Sequence, residues 1–286
     1  MSKKNWFITG CSTGLGRELA KYAALQGDNV IGTLRKEEQI NEFNTLSEGL
    51  TFGVKMDVTN PTLIKNAVKF AFEKWGRIDV LVNNAGYGSL GSVEEVTEEE
   101  MKHQFDVNVF GAVRVTQAIL PIMRKQRSGH ILNITSIAGL QGYPGVGIYN
   151  GSKFALEGIG EALEKEVSPL GIKVTNVEPG PFRTDWAGRS ATYTPTKIDD
   201  YTRSAAQNME AIQGVSGKQI GDPVRAAKAM YDLTLLDNPP VHLPLGGPAY
   251  KRLRAKLVSF TQEVNEFEYL GLPTDYTEEE LNKLES

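Results

Sequence analysis

Tyr149 and Lys153 lie four residues apart in the stretch Gly145-Val146-Gly147-Ile148-Tyr149-Asn150-Gly151-Ser152-Lys153-Phe154-Ala155-Leu156. On a helix, that spacing puts both side chains on one face, one turn apart. An ammonium beside a phenol favours the phenolate and so lowers the phenol's pKa. A tyrosine tuned in this way can pass a proton to or from a substrate oxygen near neutral pH. Alone, the pair carries little, because Tyr-x-x-x-Lys recurs by chance. Its meaning depends on what the chain places around it.

Two further polar residues are candidates for that company. The run from His130 to Ser136 reads as a strand ending in Ser136. Open α/β sheets bind ligands at the carboxyl ends of their strands, and a hydroxyl there can donate to a substrate oxygen. A strand-end serine is also an ordinary feature. Asn108 interrupts the apolar run Val107 to Val113. A buried amide needs partners. It reads as a satisfied core asparagine or, with Gly111 close behind, as a kink that holds a water.

A cofactor site is legible at the N-terminus. Asn5 to Thr9 reads as a buried strand that runs into Gly10-Cys11-Ser12-Thr13-Gly14-Leu15-Gly16 and then a helical pattern to Leu25. Strand, glycine turn and helix N-terminus together make a pyrophosphate cradle. The spacing is G-x-x-x-G-x-G. A second strand, Asn29 to Leu34, ends at Arg35-Lys36, where an acidic residue would select a free ribose hydroxyl. A guanidinium there suits a 2′-phosphate, so NADP(H) is expected over NAD(H), although Glu37 and Glu38 weaken the field.

The remaining elements supply the scaffold. Thr51 to Met56 reads as a strand ending at Asp57-Val58. Asp57 either meets an adenine amino group or caps the next helix. That helix shows Leu63, Ala67, Phe70, Ala71 and Trp75 as its apolar face. Val80-Leu81-Val82 is a strand followed by Asn83-Asn84-Ala85-Gly86. Glu98 to Lys125 reads as one long helix capped by Thr97, Val174 to Glu178 as a strand, Asp222-Pro223 as a helix start, and Val241 to Leu243 as a last strand. Short apolar strands alternating with helices indicate an α/β fold with a parallel sheet covered on both faces.

Bulk properties exclude several classes. The chain has 286 residues, one cysteine and a formal net charge of -4. No long basic run points to nucleic acid, and no apolar run is long enough to span a bilayer. One cysteine allows no internal disulfide. A cytoplasmic location is expected. His103, His130 and His242 are far apart in sequence, and no metal site is expected.

Taken together, Thr9-Gly10-x-x-x-Gly14-x-Gly16, Asn83-Asn84-Ala85-Gly86, Asn108, Ser136, Tyr149-x-x-x-Lys153 and Pro179-Gly180 resemble the short-chain dehydrogenase/reductase family, in order and spacing, over roughly residues 5 to 245. The resemblance implies a single-domain Rossmann-type α/β/α sandwich with a central parallel sheet of about seven strands. It implies Tyr149 as general acid and base, with Lys153 lowering its pKa and holding the nicotinamide ribose. Ser136 would orient the substrate carbonyl, and Asn108 would hold a relay water. Cofactor contacts would come from Gly10, Ser12, Thr13, Gly14, Leu15 and Gly16, from Arg35, Asp57 and Val58, and from Asn83, Ala85 and Gly86. Tyr149, Lys153, Pro179, Gly180, Phe182 and Thr184 would complete the set.

On the substrate side, Tyr87, Leu90, Gln141, Tyr143 and Val146 flank the strand ends, and the irregular stretch 184–221 resembles a substrate loop carrying Trp186 and Tyr193. The lining is apolar, with no cationic anchor evident. A neutral, hydrophobic ketone or aldehyde substrate is therefore expected, reduced reversibly to the alcohol. A hydroxysteroid- or retinol-type dehydrogenase is an alternative within the same chemistry, and a non-catalytic cofactor-binding regulator an alternative outside it. Residues 1–247 are expected to form the catalytic domain and 248–286 a helical extension. In the latter, Leu253, Leu257, Phe260, Val264 and Phe267 recur at helical spacing. A homodimer or homotetramer is expected.

Overall fold

Successive side chains of a strand point to opposite faces, and this chain makes both faces apolar. In β1 (Asn5–Ile8), Trp6 and Ile8 join one buried cluster while Phe7 joins another. The same division runs through β2 (Asn29–Leu34), β4 (Val80–Asn83) and β6 (Gly129–Ile134). Such strands need helices on both sides. The computed structural model describes residues 3–284 and shows that arrangement.

Seven strands form one parallel sheet in the order β3-β2-β1-β4-β6-β7-β9, where β3 is Thr51–Lys55, β7 Ile172–Pro179 and β9 His242–Leu245. One face is covered by α1 (Gly14–Leu25), α2 (Glu37–Asn44) and α8 (Pro223–Leu233), through Leu19, Phe43 and Met230 among others. The other is covered by α3 (Pro61–Trp75), α5 (Ala112–Gln126) and the later turns of α6 (Gly147–Val167). The order reverses between β1 and β4. In open α/β sheets the ligand crevice lies at that reversal, outside the carboxyl ends of the strands.

Several local expectations need correction. The segment 98–125 is not one α-helix. It is α4 (Glu98–Phe105), capped by Thr97 in a reciprocal box with Glu100, then a π-helical segment at Asp106–Gly111, then α5. Asp57 does not cap α3; Asn60 does, accepting from Thr62 and Leu63 N–H. The buried face of α3 is Ile64, Ala67, Val68 and Ala71, while Phe70 faces solvent and Leu63 and Trp75 pack at the margin. Helix α2 has no counterpart in the sequence reading. With eight residues and only Ile40 and Phe43 buried, it is too short to show a period.

The 184–221 stretch is more ordered than its composition suggests. Its β8 (Ala191–Tyr193) pairs in parallel with β5 (Gly88–Leu90), and α7 (Gln207–Gly214) follows. Beyond β9 come α9 (Gly247–Glu266), α10 (Glu268–Gly271) and α11 (Glu278–Leu284). Ala249 is the one residue of these three helices that is buried among the described residues. Among the described residues, no helix is long and apolar enough to cross a membrane.

Candidate active site

The glycine turn after β1 is held against the end of β4 by side chains that exist for that purpose. Thr9 Oγ1 accepts from the N–H groups of Asn84 and Ala85 at 2.9 Å each. Asn84 Nδ2 donates to the carbonyls of Thr9 and Gly10. Gly10 has φ +70°, and a Cβ there would lie 2.8 Å from Ala85 Cα. A Cβ on Gly16 would lie 2.3 Å from Asn84 Nδ2. The approach is therefore closed to any residue but glycine. Thr13 precedes α1 without making a side-chain cap, so the first amides of that helix stay available. Thr184 stands opposite Gly14, with Cβ 3.6 Å from where a Gly14 Cβ would be. Free amides and a positive helix end between two walls fit a dinucleotide pyrophosphate.

The other expected cofactor residues fall at the same edge. Ser12 and Leu15 lie on the turn and first helical residues, and Leu15 packs on the core. Arg35 is exposed at the end of β2. Asp57 binds Thr59 through its N–H and hydroxyl. Burial works against its charge, but those bonds and the nearby Arg35 and His103 hold it below the usual carboxylate range. Val58 is buried beneath Gly111 of the π segment. Pro179 ends β7, Gly180 donates to Leu245 O, and Phe182 pairs with Gly221. Asn83 differs from the rest: its amide donates to Thr116 Oγ1 and Asn133 Oδ1 inside the sheet, so its side chain ties elements together.

The four polar residues marked for chemistry come from two elements, the π segment (Asn108) and α6 (Tyr149, Lys153), and from the segment after β6 (Ser136). Ser136 follows β6, and its Oγ accepts from Ala138 N–H at 3.0 Å. Tyr149 and Lys153 sit in the first two turns of α6, both buried. Lys153 Nζ donates to Ile134 O at 2.8 Å and lies 5.8 Å from the Tyr149 ring centre. A Cβ added at Gly86 would be 3.1 Å from Asn108 Oδ1 and 3.6 Å from Lys153 Nζ, so those two residues meet behind that glycine.

Burial dominates the electrostatics. It pushes the Tyr149 phenol up to about 12, against a hydrogen bond with Ser136 that pulls the other way. It brings the Lys153 ammonium down to about 8, against the opposing charge of Glu157. In the polypeptide alone, burial outweighs the groups that lower the Tyr149 pKa. Removing a phenolate from water costs more than the neighbouring groups return.

Asn108 is more fully engaged than its sequence context implies. Its Oδ1 accepts from Tyr87 N–H, and its Nδ2 donates to Tyr87 O and Ser152 Oγ. Gln104 Nε2 also donates to Tyr87 O, and its Oε1 accepts from Ser89 N–H. Gln104 and Ser152 were not anticipated. Both sit at ordinary helix positions, and only the fold shows that they face Asn108 and the strand β5.

On the substrate side, Leu90, Tyr143, Val146, Trp186 and Tyr193 share one cluster with Tyr149. The rings of Trp186 and Tyr149 are 5.0 Å apart. Met209 and Ile212 of α7 join the same cluster unforeseen. Tyr87 lies apart from it, its ring against His103. Gln141 meets the C-terminal extension: with Lys251 and Arg252 it lines a cleft of about 500 Å³. Arg252 also stands 5.4 Å from the Tyr143 ring. Cations are therefore present at the rim, supplied from about a hundred residues away in sequence, where local reading does not find them.

The chain is similar to known proteins along most of its length. Residues 4–193 match the family model described as short chain dehydrogenase. The chain is 39% identical over 263 residues to the oxidoreductase BOA17 of Botryotinia fuckeliana, covering 91% of this chain and 96% of that protein. It is 38% identical over 255 residues to the 3-ketodihydrosphingosine reductase of Bacteroides thetaiotaomicron, covering 88% and 91%. A short-chain dehydrogenase structure from Streptomyces avermitilis superposes with TM-score 0.90 at 37% identity, covering 96% of this chain and 99% of that one. Family structures hold either nucleotide: one from Burkholderia phymatum contains NAD (24% identity, TM-score 0.78, 96% and 98% covered), and an alcohol dehydrogenase from Thermococcus sibiricus contains 5-hydroxy-NADP (25%, 0.71, 85% and 96%). With a glycine cradle at the switch point, a buried Tyr-x-x-x-Lys beside a strand-end serine, and relatives matched along nearly the whole chain, this protein belongs to the short-chain dehydrogenase family of oxidoreductases.

Proposed function

We propose that this protein reduces a ketone or aldehyde to an alcohol with NADP(H), reversibly, and that Tyr149 transfers the proton. The observation that carries the reading is the buried Tyr149 phenol, which keeps its proton, with Lys153 one turn further along α6 and the strand-end Ser136 beside it. The chemistry that the dinucleotide supplies when bound is hydride transfer at its nicotinamide ring. Gly10, Gly14, Gly16 and the first amides of α1 would hold its pyrophosphate, and Arg35 a 2′-phosphate.

The chain's own residues do the rest. Ser136 Oγ accepts from Ala138 N–H, so its own proton is the one it can give, to the Tyr149 oxygen in the polypeptide alone and to a substrate oxygen when one is bound. Tyr149 keeps its proton at neutral pH, which is the state a general acid for reduction needs. Lys153, fixed on Ile134 O, would hold the nicotinamide ribose and return the proton to Tyr149. Because the Asn108 amide is committed to Tyr87 and Ser152, its relay role falls to the main chain of the π segment, where α-helical pairing is interrupted. The apolar wall around Tyr149 favours a hydrophobic carbonyl carbon, with Gln141 and Arg252 offering polar contacts at the rim. The keto-compound reductase named among the relatives supports this direction.

Residues 1–247 form the catalytic domain in this reading. The extension 248–286 serves assembly with a second copy. Four basic residues (Lys251, Arg252, Arg254, Lys256) open α9, and seven acidic ones, with no basic residue among them, fall between Glu263 and Glu280. An antiparallel pair would set each basic end against the partner's acidic end.

A panel of ketones and alcohols followed by NADPH absorbance tests the activity. Tyr149→Phe should lower kcat/KM by roughly 10²–10⁴-fold while NADPH affinity stays nearly unchanged. Wild-type protein inert across the panel, or a Phe variant that keeps turnover, overturns the proposal.

A further inference from the structure

A second group of titratable side chains lies behind the reacting residues, where the mechanism makes no use of it. Glu157 is one turn beyond Lys153 on α6, Glu178 is on β7 and His242 opens β9. Their nearest donor atoms all lie within 4.8 Å of one another. Glu178 is fully buried and Glu157 3% exposed. Glu157 Oε1 and Glu178 Oε2 are buried with no hydrogen-bond partner. Unpartnered buried carboxylate oxygens are rare and costly. These are the second oxygens of the two carboxylates whose other oxygens meet His242, so each carboxylate keeps unused capacity for a cation.

We propose that Glu157, Glu178 and His242 form a divalent-cation site between α6, β7 and β9, with zinc as the best fit. The donors are one imidazole nitrogen and two carboxylates, with no thiolate, a set that suits zinc and manganese. His242 Nδ1 is 2.7 Å from Glu178 Oε1 and 3.5 Å from Glu157 Oε2. Tetrahedral zinc with bonds of about 2.1 Å spaces its ligand atoms about 3.4 Å apart, so the shorter contact opens by under an ångström on binding. The other ring nitrogen, Nε2, faces Glu161 Oε1 at 3.5 Å. A carboxylate on the far side of a ligating histidine fixes its tautomer and strengthens it as a donor. The His242 side chain is 39% exposed, which gives the cation a way in. Asn176 holds the arrangement, its Nδ2 donating to both Glu157 O and Oε2. Burial raises both glutamates above the ordinary carboxylate range, so binding a cation displaces protons.

The test is metal binding by the full chain without nucleotide, independent of turnover. Metal-free protein is titrated with Co2+ alone, followed by its visible absorption, and then with Zn2+ in competition. One Co2+ per chain, displaced by Zn2+, with a rise in melting temperature, is the expected result. His242→Gln and Glu178→Gln should each weaken binding by at least about tenfold, and exposed His103→Gln should leave it unchanged. The His242 variant alters a half-exposed residue, so it keeps the test open if Glu178→Gln fails to fold. No uptake by the wild-type chain, or uptake that the His242 variant retains in full, overturns the proposal.

Discussion

At the scale of residues, environment sets chemistry more than type does. The Tyr149–Lys153 pair was legible because helix geometry makes four residues one turn. Its electrostatics were not legible, because burial is a property of the folded chain. Arg35 carries a sharper expectation. Exposed at the end of β2 and near Asp57, it should discriminate between nucleotides. Arg35→Ala is expected to raise the KM for NADPH at least about tenfold, the loss of roughly one charge-assisted bond, and to leave the KM for NADH nearly unchanged. Equal effects on the two would remove Arg35 from the site. His130 gives a stability prediction. Thr175 spends its hydroxyl proton on Pro240 O, so it accepts from His130 Nε2–H, and the imidazole is neutral. Burial, with Lys173 and Lys4 nearby, lowers its pKa to about 3. The unfolded chain takes up this proton near pH 6.5 and the native chain only near 3. The stability tied to neutral His130 is therefore present above pH 6.5 and lost as pH falls through that window, by about 2–3 kcal/mol near pH 4.5. His130→Gln should flatten the acid side of a melting-temperature profile, and an unchanged slope would contradict the assignment.

At the scale of elements, α6 has to place Tyr149 and Lys153 to within a fraction of an ångström, and two glycines show how. A Cβ on Gly160 would lie 2.0 Å from Asn176 Oδ1 on β7, whereas nothing lies within 4 Å of one on Gly158. Gly160→Ala should cost about 1–3 kcal/mol through overpacking and reduce turnover by shifting the helix. Gly158→Ala should stabilise by about 0.5–1 kcal/mol through helix propensity alone. Thermal melts of the two variants against wild type decide it, and similar effects would show that α6 does not rest closely on β7. The strands were legible to within a residue or two, since buried parallel strands are short apolar runs bounded by turns. What escaped was structure whose signal is tertiary. Helix α2 buries two side chains, β5 and β8 are three residues each, and the π segment keeps an unbroken helical pattern around Asn108. The Glu157–Glu178–His242 group escaped for the same reason, since only the sheet brings three distant positions together.

At the scale of the molecule, the unresolved balance is the exposed apolar surface of the extension. Leu257, Phe260, Val264 and Phe267 are each more than half exposed. Monomeric proteins rarely leave such a run in water. The antiparallel pairing proposed for α9 makes two demands that can be measured by light scattering. Removing residues 256–286 should reduce the full chain's oligomer to a smaller species, and high salt should weaken the oligomer by screening the end-to-end charges. A full-length chain that is monomeric at micromolar concentration would sink the pairing.

The contact between Trp186 and Tyr149 has an optical consequence. Of the three tryptophans, Trp6 is sealed in the core against Tyr231 and Trp75 packs on Phe52 at the margin of the sheet. Trp186 alone borders the reacting residues, on a short segment between β7 and β8. Its emission overlaps the absorption of a reduced nicotinamide, so nucleotide binding should quench it by energy transfer, and substrate binding should shift its colour as water leaves the ring. Trp186→Phe would remove that signal and leave the other two lamps burning, so each binding step could be watched without any added dye.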